Sequence, residues 1–311
     1  MHLYDALMFL VRHLILPVTL CIWLWKREYH SESDRMMMSL LTGGFVFYIF
    51  LAGQWHAIGY GVRLMLPLVF ALALAGSFYR NRSLPVWHKR NPKEWFAALI
   101  MSLFIVIFAA MAVWSYLGKT HEKTPIEASF PFRNGDFAIL DGGNSPIINS
   151  LHRYPDIPDK FSIKIGRLSK VGKHSTGFFP VDSSSYHILG DTVYSPVNGI
   201  VTHAVDGIDP LDLSWSDSLD SNVSGNQIRI RQQDVIWVLN HLMKNSLMVE
   251  EGDTIRIGTA LARVGNSGYI EEPLLHIYAY REGDFPPWEG RGLPIHFDGN
   301  FLVRNDVVRK R

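Results

Sequence analysis

A metal, if this chain holds one, has to be held by histidine and carboxylate. The sequence has a single cysteine, Cys21, inside an apolar run, so a thiolate cluster and an internal disulfide are both excluded. There are 13 histidines, and spacing decides which of them share a surface. In Leu274-Leu-His276-Ile-Tyr278 the side chains alternate with period two, so Leu274, His276 and Tyr278 share one face of a strand. That face is mixed apolar and aromatic, which suits binding more than hydrolysis. His174, His187 and His203 read as turn or surface residues. The stretch Asp206–Gly225 is rich in Asp and Ser and could bind calcium, but it lacks the regular ligand spacing of a calcium loop; a solvated loop is the plainer reading. Trp215, Trp237 and Trp288 offer stacking surface for sugar rings, with core or loop packing as the default.

The elements that must position these residues lie after Lys119. A polar linker over residues 119–129 leads into short apolar-alternating runs punctuated by Gly, Pro, Asn and Asp, such as DTVYSPVNGIVTHAV, NQIRIRQQDVIWVLNHL, GDTIRIGTALARVG and LLHIYAY. This pattern predicts an antiparallel sheet. Val235–Leu242 is apolar on both faces and predicts a central strand. Gly190, Gly199, Gly252, Gly258, Gly265 and Gly268 are expected at tight turns with positive φ.

The first third has a different character. Mean hydropathy is +0.07 over the chain, and nearly all of the excess lies before residue 120. Four stretches approach the roughly 20 residues that cross a bilayer: 6–25, 36–53, 58–78 and 96–117. The first is interrupted by Arg12 and His13, which are costly in hydrocarbon unless paired. Lys26, Arg27 and Arg35 in the first loop, and Arg80, Arg82, Lys89, Arg90 and Lys93 in the third, put both loops on the cytoplasmic side. The residues after 118 are then expected outside the cytoplasm. Arg63 is expected to reach the interface or a neighbouring helix, and Gly43-Gly44 and Gly59-x-Gly61 to permit close helix packing. The net charge of +1 gives no basic field for nucleic acid.

The order of the outer pieces resembles the lysostaphin-type (LytM-like) zinc peptidases. The residues that carry the resemblance run from Gly190-Asp-Thr-Val-Tyr-Ser-Pro-Val-Asn-Gly199, through Gly225-Asn-Gln-Ile-Arg-Ile, Leu239-Asn-His241-Leu and Val249-Glu-Glu-Gly252-Asp-Thr-Ile, to Val264-Gly-Asn-Ser-Gly268 and Glu272-Pro-Leu-Leu-His276-Ile. Upstream Phe130-Pro-Phe and Gly142-Gly-Asn-Ser-Pro-Ile-Ile-Asn149, and downstream Gly292-Leu-Pro-Ile-His to Asn305, extend it to 130–305, followed by a basic tail over 306–311. The resulting expectation is an N-terminal α-helical transmembrane bundle (1–118) followed by an all-β, antiparallel peptidase-like domain.

Such a domain implies one zinc ion held by two His and one Asp with a position open for water, and two further His that assist. His276 matches the zinc-ligating second His of a His-x-His pair, and His241 matches the assisting His of the central strand. Leu274 stands where the pair's first His belongs, and it can neither move a proton nor stabilise an oxyanion. One alignment of the remaining ligands puts Lys164 at the Asp position and His152 at the N-terminal His. Another puts the Asp at Asp182, with Phe178 four residues earlier where a His is expected. An ammonium has donors and no lone pair, so Lys164 cannot ligate zinc; its charge replaces the metal's, or its strand has drifted. The apolar stretches and the resemblance together imply an envelope protein anchored in the lipid bilayer of the cytoplasmic membrane. It would bind peptidoglycan or regulate a wall hydrolase, with zinc absent or weakly held. An active zinc endopeptidase using His152 or Asp182 with His276, and His241 as base, is the alternative.

Overall fold

The computed structural model describes residues 3–154, 157–210, 224–281 and 291–311. The chain divides into two compact units, Met1–Tyr116 and Leu117–Arg311.

The first unit is helical. Helix α1 (Leu3–Leu10) runs through a π-helical turn (Val11–Ile15) into α2 (Leu16–Lys26), and α3 (Glu32–Ala52), α4 (Tyr60–Arg80) and α5 (Pro92–Leu117) follow. Four helical stretches, Ala6–Lys26, Glu32–Ala52, Tyr60–Arg80 and Pro92–Leu117, are long and apolar enough to cross a membrane. Helix α3 starts at Glu32, upstream of the apolar run, because Ser31 caps it by accepting the Asp34 amide N–H. Asn91 and Glu94 form a reciprocal capping box at the start of α5.

His13 is buried in the π-helical turn with both ring nitrogens bonded. Its Nε2 accepts the Gln54 amide N–H at 3.1 Å, so the proton sits on Nδ1, which donates to the Phe9 carbonyl at 3.0 Å. A neutral, saturated imidazole removes most of the cost that His13 poses in an apolar helix. Arg63 donates to the Phe50 carbonyl at 3.0 Å, near the C-terminal end of α3, which that end favours. Gly43 permits close packing as expected: a Cβ there would lie 2.9 Å from Phe70 of α4. Gly59 acts differently, holding φ +105° at the entrance to α4.

The second unit is built from β1 (Ile126–Ala128), β2 (Gly135–Asp141), β3 (Ile163–Leu168), β4 (Thr192–Tyr194), β5 (Gly199–Val205), β6 (Asn226–Gln232), β7 (Val235–Leu242), β8 (Thr254–Ile255), β9 (Ala260–Arg263), β10 (Leu275–Arg281), β11 (Ile295–Phe297), β12 (Asn300–Phe301) and β13 (Val307–Lys310). Eight strands form one sheet in the order β13-β2-β3-β10-β7-β6-β5-β8, every pair antiparallel. Two small sheets, β4-β9 and β1-β11-β12, complete it, and β1 with β11 is a parallel pair. Strand β7 is buried along its whole length between β6 and β10.

Alternation sorts the large sheet into two faces. Phe137, Ile139, Ile163, Ile165, Ile228, Ile230, Trp237, Leu239, Leu275 and Ile277 enter one continuous core with Val193 and Leu261 of the small β4-β9 sheet. Each such aliphatic or aromatic side chain contributes about 1.5–3 kcal/mol by leaving water. Trp237 is thus a core residue; Trp215 and Trp288 lie outside the described residues, as does most of Asp206–Gly225. Gly199 and Gly265 depart from the expected positive φ. Their requirement is close approach: a Cβ on Gly265 would sit 2.4 Å from the Met243 backbone nitrogen.

Candidate functional site

The face of the large sheet opposite the core carries a row of polar residues at one level. Lys164 on β3 is directly opposite His276 on β10, and His276 is directly opposite Asn240 on β7. Directly paired residues share a face, so Lys164, His276 and Asn240 stand side by side. Asp141 joins the row through a register irregularity in β2, which pairs Ile139 with Ile165 but Asp141 with Lys164. In regular alternation Leu140 would oppose Lys164; the bulge aims Asp141 there instead.

His241 enters by a second break in alternation. Asn240 already faces this side, so its neighbour would ordinarily point into the core. His241 instead has φ +64°, a conformation uncommon outside glycine and held only where the surroundings enforce it. Its amide donates to the Ser224 carbonyl and its carbonyl accepts the Gly265 amide. The ring then stacks on His276, with centroids 5.7 Å apart. His241 Nδ1 meets the Ser267 carbonyl at 2.9 Å; a carbonyl only accepts, so Nδ1 carries the proton and Nε2 is bare.

Both imidazoles are neutral at pH 7. Burial lowers His241 to about 4; the Ser267 carbonyl opposes it, and the Lys164 charge adds a smaller lowering. Burial, then His241 and Lys164, hold His276 well below the ordinary histidine range. Burial likewise pushes the Tyr278 phenol up to about 12. Tyr278 extends the row along β10, its ring 5.4 Å from His276. Leu274 is buried just before β10 begins. Among the described residues, three buried polar atoms here have no hydrogen-bond partner: His276 Nε2, Asn240 Oδ1 and Asn266 Oδ1.

Asp141 is held elsewhere. Arg304 donates to its Oδ1 at 2.6 Å, the Ser150 amide donates to both oxygens at 3.1 and 3.2 Å, and the Ser150 hydroxyl donates to Oδ2. Lys164 Nζ is 4.0 Å from Oδ2, an ion pair beyond hydrogen-bond reach. Asn149 anchors this corner by donating to the Gly143 and Lys160 carbonyls.

Other candidates stand apart from this row. His152 lies on a 3₁₀ turn (Ser150–Arg153) with its ring against Phe161. Burial and the nearby Lys160 charge lower it to about 4. Asp182 is exposed and caps the short turn Ser183–Ser185, where its oxygens accept the Ser184 amide at 2.9 Å and hydroxyl at 2.6 Å. Phe178, four residues earlier, packs on Phe179. His174, expected at a turn or the surface, sits at a bend but is buried, with Nε2 3.0 Å from Glu272. Its partner acid lies 98 positions away, and local sequence carries no trace of that pairing.

The residues of this row do not fit a catalytic zinc ion. Among the described residues no group of three metal-ligating side chains includes His276, His241, His152 or Asp182. The position beside His276 holds an ammonium, which offers no lone pair and repels a dication. What remains is a buried, polar face on which a lysine stands beside two stacked imidazoles.

No protein-family model matches the sequence, and no curated protein matches it. The chain is similar to solved structures of lysostaphin-type (M23) peptidases and their relatives. Against a mutant catalytic domain of the prophage-encoded M23 protein EnpA from Enterococcus faecalis, identity is 13% and the TM-score 0.28, over 57% of this chain and 93% of that one. Against the antimicrobial peptidase lysostaphin from Staphylococcus simulans the values are 20% and 0.26, over 33% of this chain and 38% of that one. Against the SpoIIQ-SpoIIIAH pore-forming complex they are 17% and 0.27, over 42% and 59%.

Proposed function

We propose that this chain is a membrane-anchored envelope protein whose outer β unit binds the peptide part of peptidoglycan without hydrolysing it. The apolar helices anchor it in the cytoplasmic membrane, and the Lys and Arg residues of the first and third loops hold those loops inside. The β unit then lies outside the cytoplasm.

One observation carries the reading: Lys164 is directly opposite His276, where the resemblance calls for an aspartate ligand. With an ammonium there, zinc has neither its acid ligand nor a neutral site. Leu274 supplies no proton relay in place of the missing imidazole. His241, lowered to about 4, is too weak a base to activate water near neutrality. Binding is supported by the buried unpartnered atoms of His276, Asn240 and Asn266, because unpaired polar groups cost free energy that a peptide ligand recovers.

The test is co-sedimentation of the detergent-solubilised full chain with purified, insoluble peptidoglycan, with and without a chelator. The expected result is sedimentation with the wall in both conditions and no new amino termini in the supernatant. New amino termini that disappear with the chelator would contradict it.

A further inference from the structure

On the reading that the polar face binds wall peptides, we propose that it recognises a free carboxylate, such as a peptide C-terminus, with the Lys164 ammonium as charge partner.

The Lys164 ammonium has unspent donors. An ammonium has three N–H donors, and among the described residues Lys164 makes no hydrogen bond; its one charged contact is Asp141 at 4.0 Å. Asp141 is already served by Arg304 and by the amide and hydroxyl of Ser150, so it does not turn toward the lysine. Lys164 is a cation with about a quarter of its side chain exposed, beside two stacked imidazoles. Of the other groups at this face, Asp141 is a carboxylate paired with Arg304, Arg229 of β6 is a second cation, directly opposite Val238, and His241 and His276 stack on one another. Asp159, which feels Lys164, is shifted by burial toward its neutral form, and Arg304 adds a further positive charge behind Asp141.

Neighbouring polar atoms define the rest of the ligand. His276 and Asn240 are both more than nine-tenths buried, flank the Lys164 row position, and have Nε2 and Oδ1 unpartnered. The amide of Asn240 offers either sign, as does the imidazole of His276 through its tautomers. Lys164 has a fixed demand, and that demand is for an acceptor. A carboxylate satisfies it with a charge-assisted bond about twice as strong as a neutral carbonyl's. Tyr278 on the same strand, 5.4 Å from His276, supplies an apolar wall for an adjoining small side chain.

The test measures binding to the full chain in detergent micelles by isothermal titration. The probes are N-acetyl-alanyl-alanine as the free acid, the same dipeptide as its C-terminal amide, and acetate. The free acid is expected to bind about tenfold more tightly than the amide. Lys164→Met removes that preference and Lys164→Arg retains part of it, each at an unchanged melting temperature. Acetate matching the dipeptide acid also supports the carboxylate site, and assigns it to small free acids. Equal binding of acid and amide overturns the inference and leaves peptide binding standing. Binding of neither overturns it as well, while sedimentation with whole wall judges the wider reading separately. If Lys164→Met fails to fold, the acid-to-amide ratio of the unmodified chain still decides the question.

Discussion

Lys164 and His276 face each other across β3 and β10, and that pairing joins the fold to its chemistry. Each residue is the outward member of a regularly alternating strand: Ile163 and Ile165 flank the lysine, and Leu275 and Ile277 flank the histidine, all four in the core. The two polar side chains are thereby pinned to one face, with a neutral ring beside a fixed positive charge.

Stability of the outer unit should fall with acid. An unfolded histidine takes up a proton near pH 6.5, whereas folded His241 resists until about 4. The unfolded state therefore binds more protons in that window, and stability present above pH 6.5 is lost as pH falls toward 4. The loss from His241 alone is about 3 kcal/mol at 1.36 kcal/mol per unit. Thermal melts from pH 7 to 4.5 check this, and His241→Asn, which tolerates the same backbone, should flatten the slope.

The two charges flanking the β2 bulge should respond unequally to substitution. Asp141→Ala leaves Arg304 and Ser150 without their acceptor and is expected to cost about 3–5 kcal/mol. Lys164→Met breaks only a 4.0 Å contact and should change stability by less than about 1 kcal/mol. Chemical denaturation of the two variants decides it; equal losses would mean that Lys164 is a structural member of the cluster.

Gly265→Ala should destabilise the unit by about 3 kcal/mol or more. The new methyl would meet Met243 backbone atoms at 2.4 Å, and the Gly265 amide holds the His241 carbonyl. Loss of the ring contact between His241 and His276 should accompany it, visible as shifted imidazole resonances.

Orientation is open to direct labelling, since Cys21 is the only cysteine. In a Cys21→Ala background, a cysteine placed at Glu122 should react with an impermeant thiol reagent in intact cells. One placed at Ser83 should react only after permeabilisation. The reverse pattern would invert the proposed topology.

Much of this was legible in the residues, and the illegible part has a physical reason. Val235–Leu242 announces a central strand because both its faces are apolar, and Lys164, Leu274 and His276 stand out because ordered motifs give them a register. Asp141 and Arg304 stay hidden: their ion pair joins positions 163 apart and depends on a bulge that no local pattern encodes. His241 reads as a strand residue, and its left-handed backbone is held by hydrogen bonds to Ser224 and Gly265, which no pattern around residue 241 encodes. Glycine similarly signals a special position without saying which kind, so Gly199 and Gly265 read as turns when they are close approaches.

The most direct test is elemental analysis of the full chain, purified in detergent after growth in zinc-supplemented medium, beside Lys164→Asp. The unmodified chain is expected to carry zinc far below one ion per molecule, and the aspartate variant to carry more, because it restores a carboxylate beside His276. One zinc per unmodified chain, lost on His276→Ala, would contradict the account.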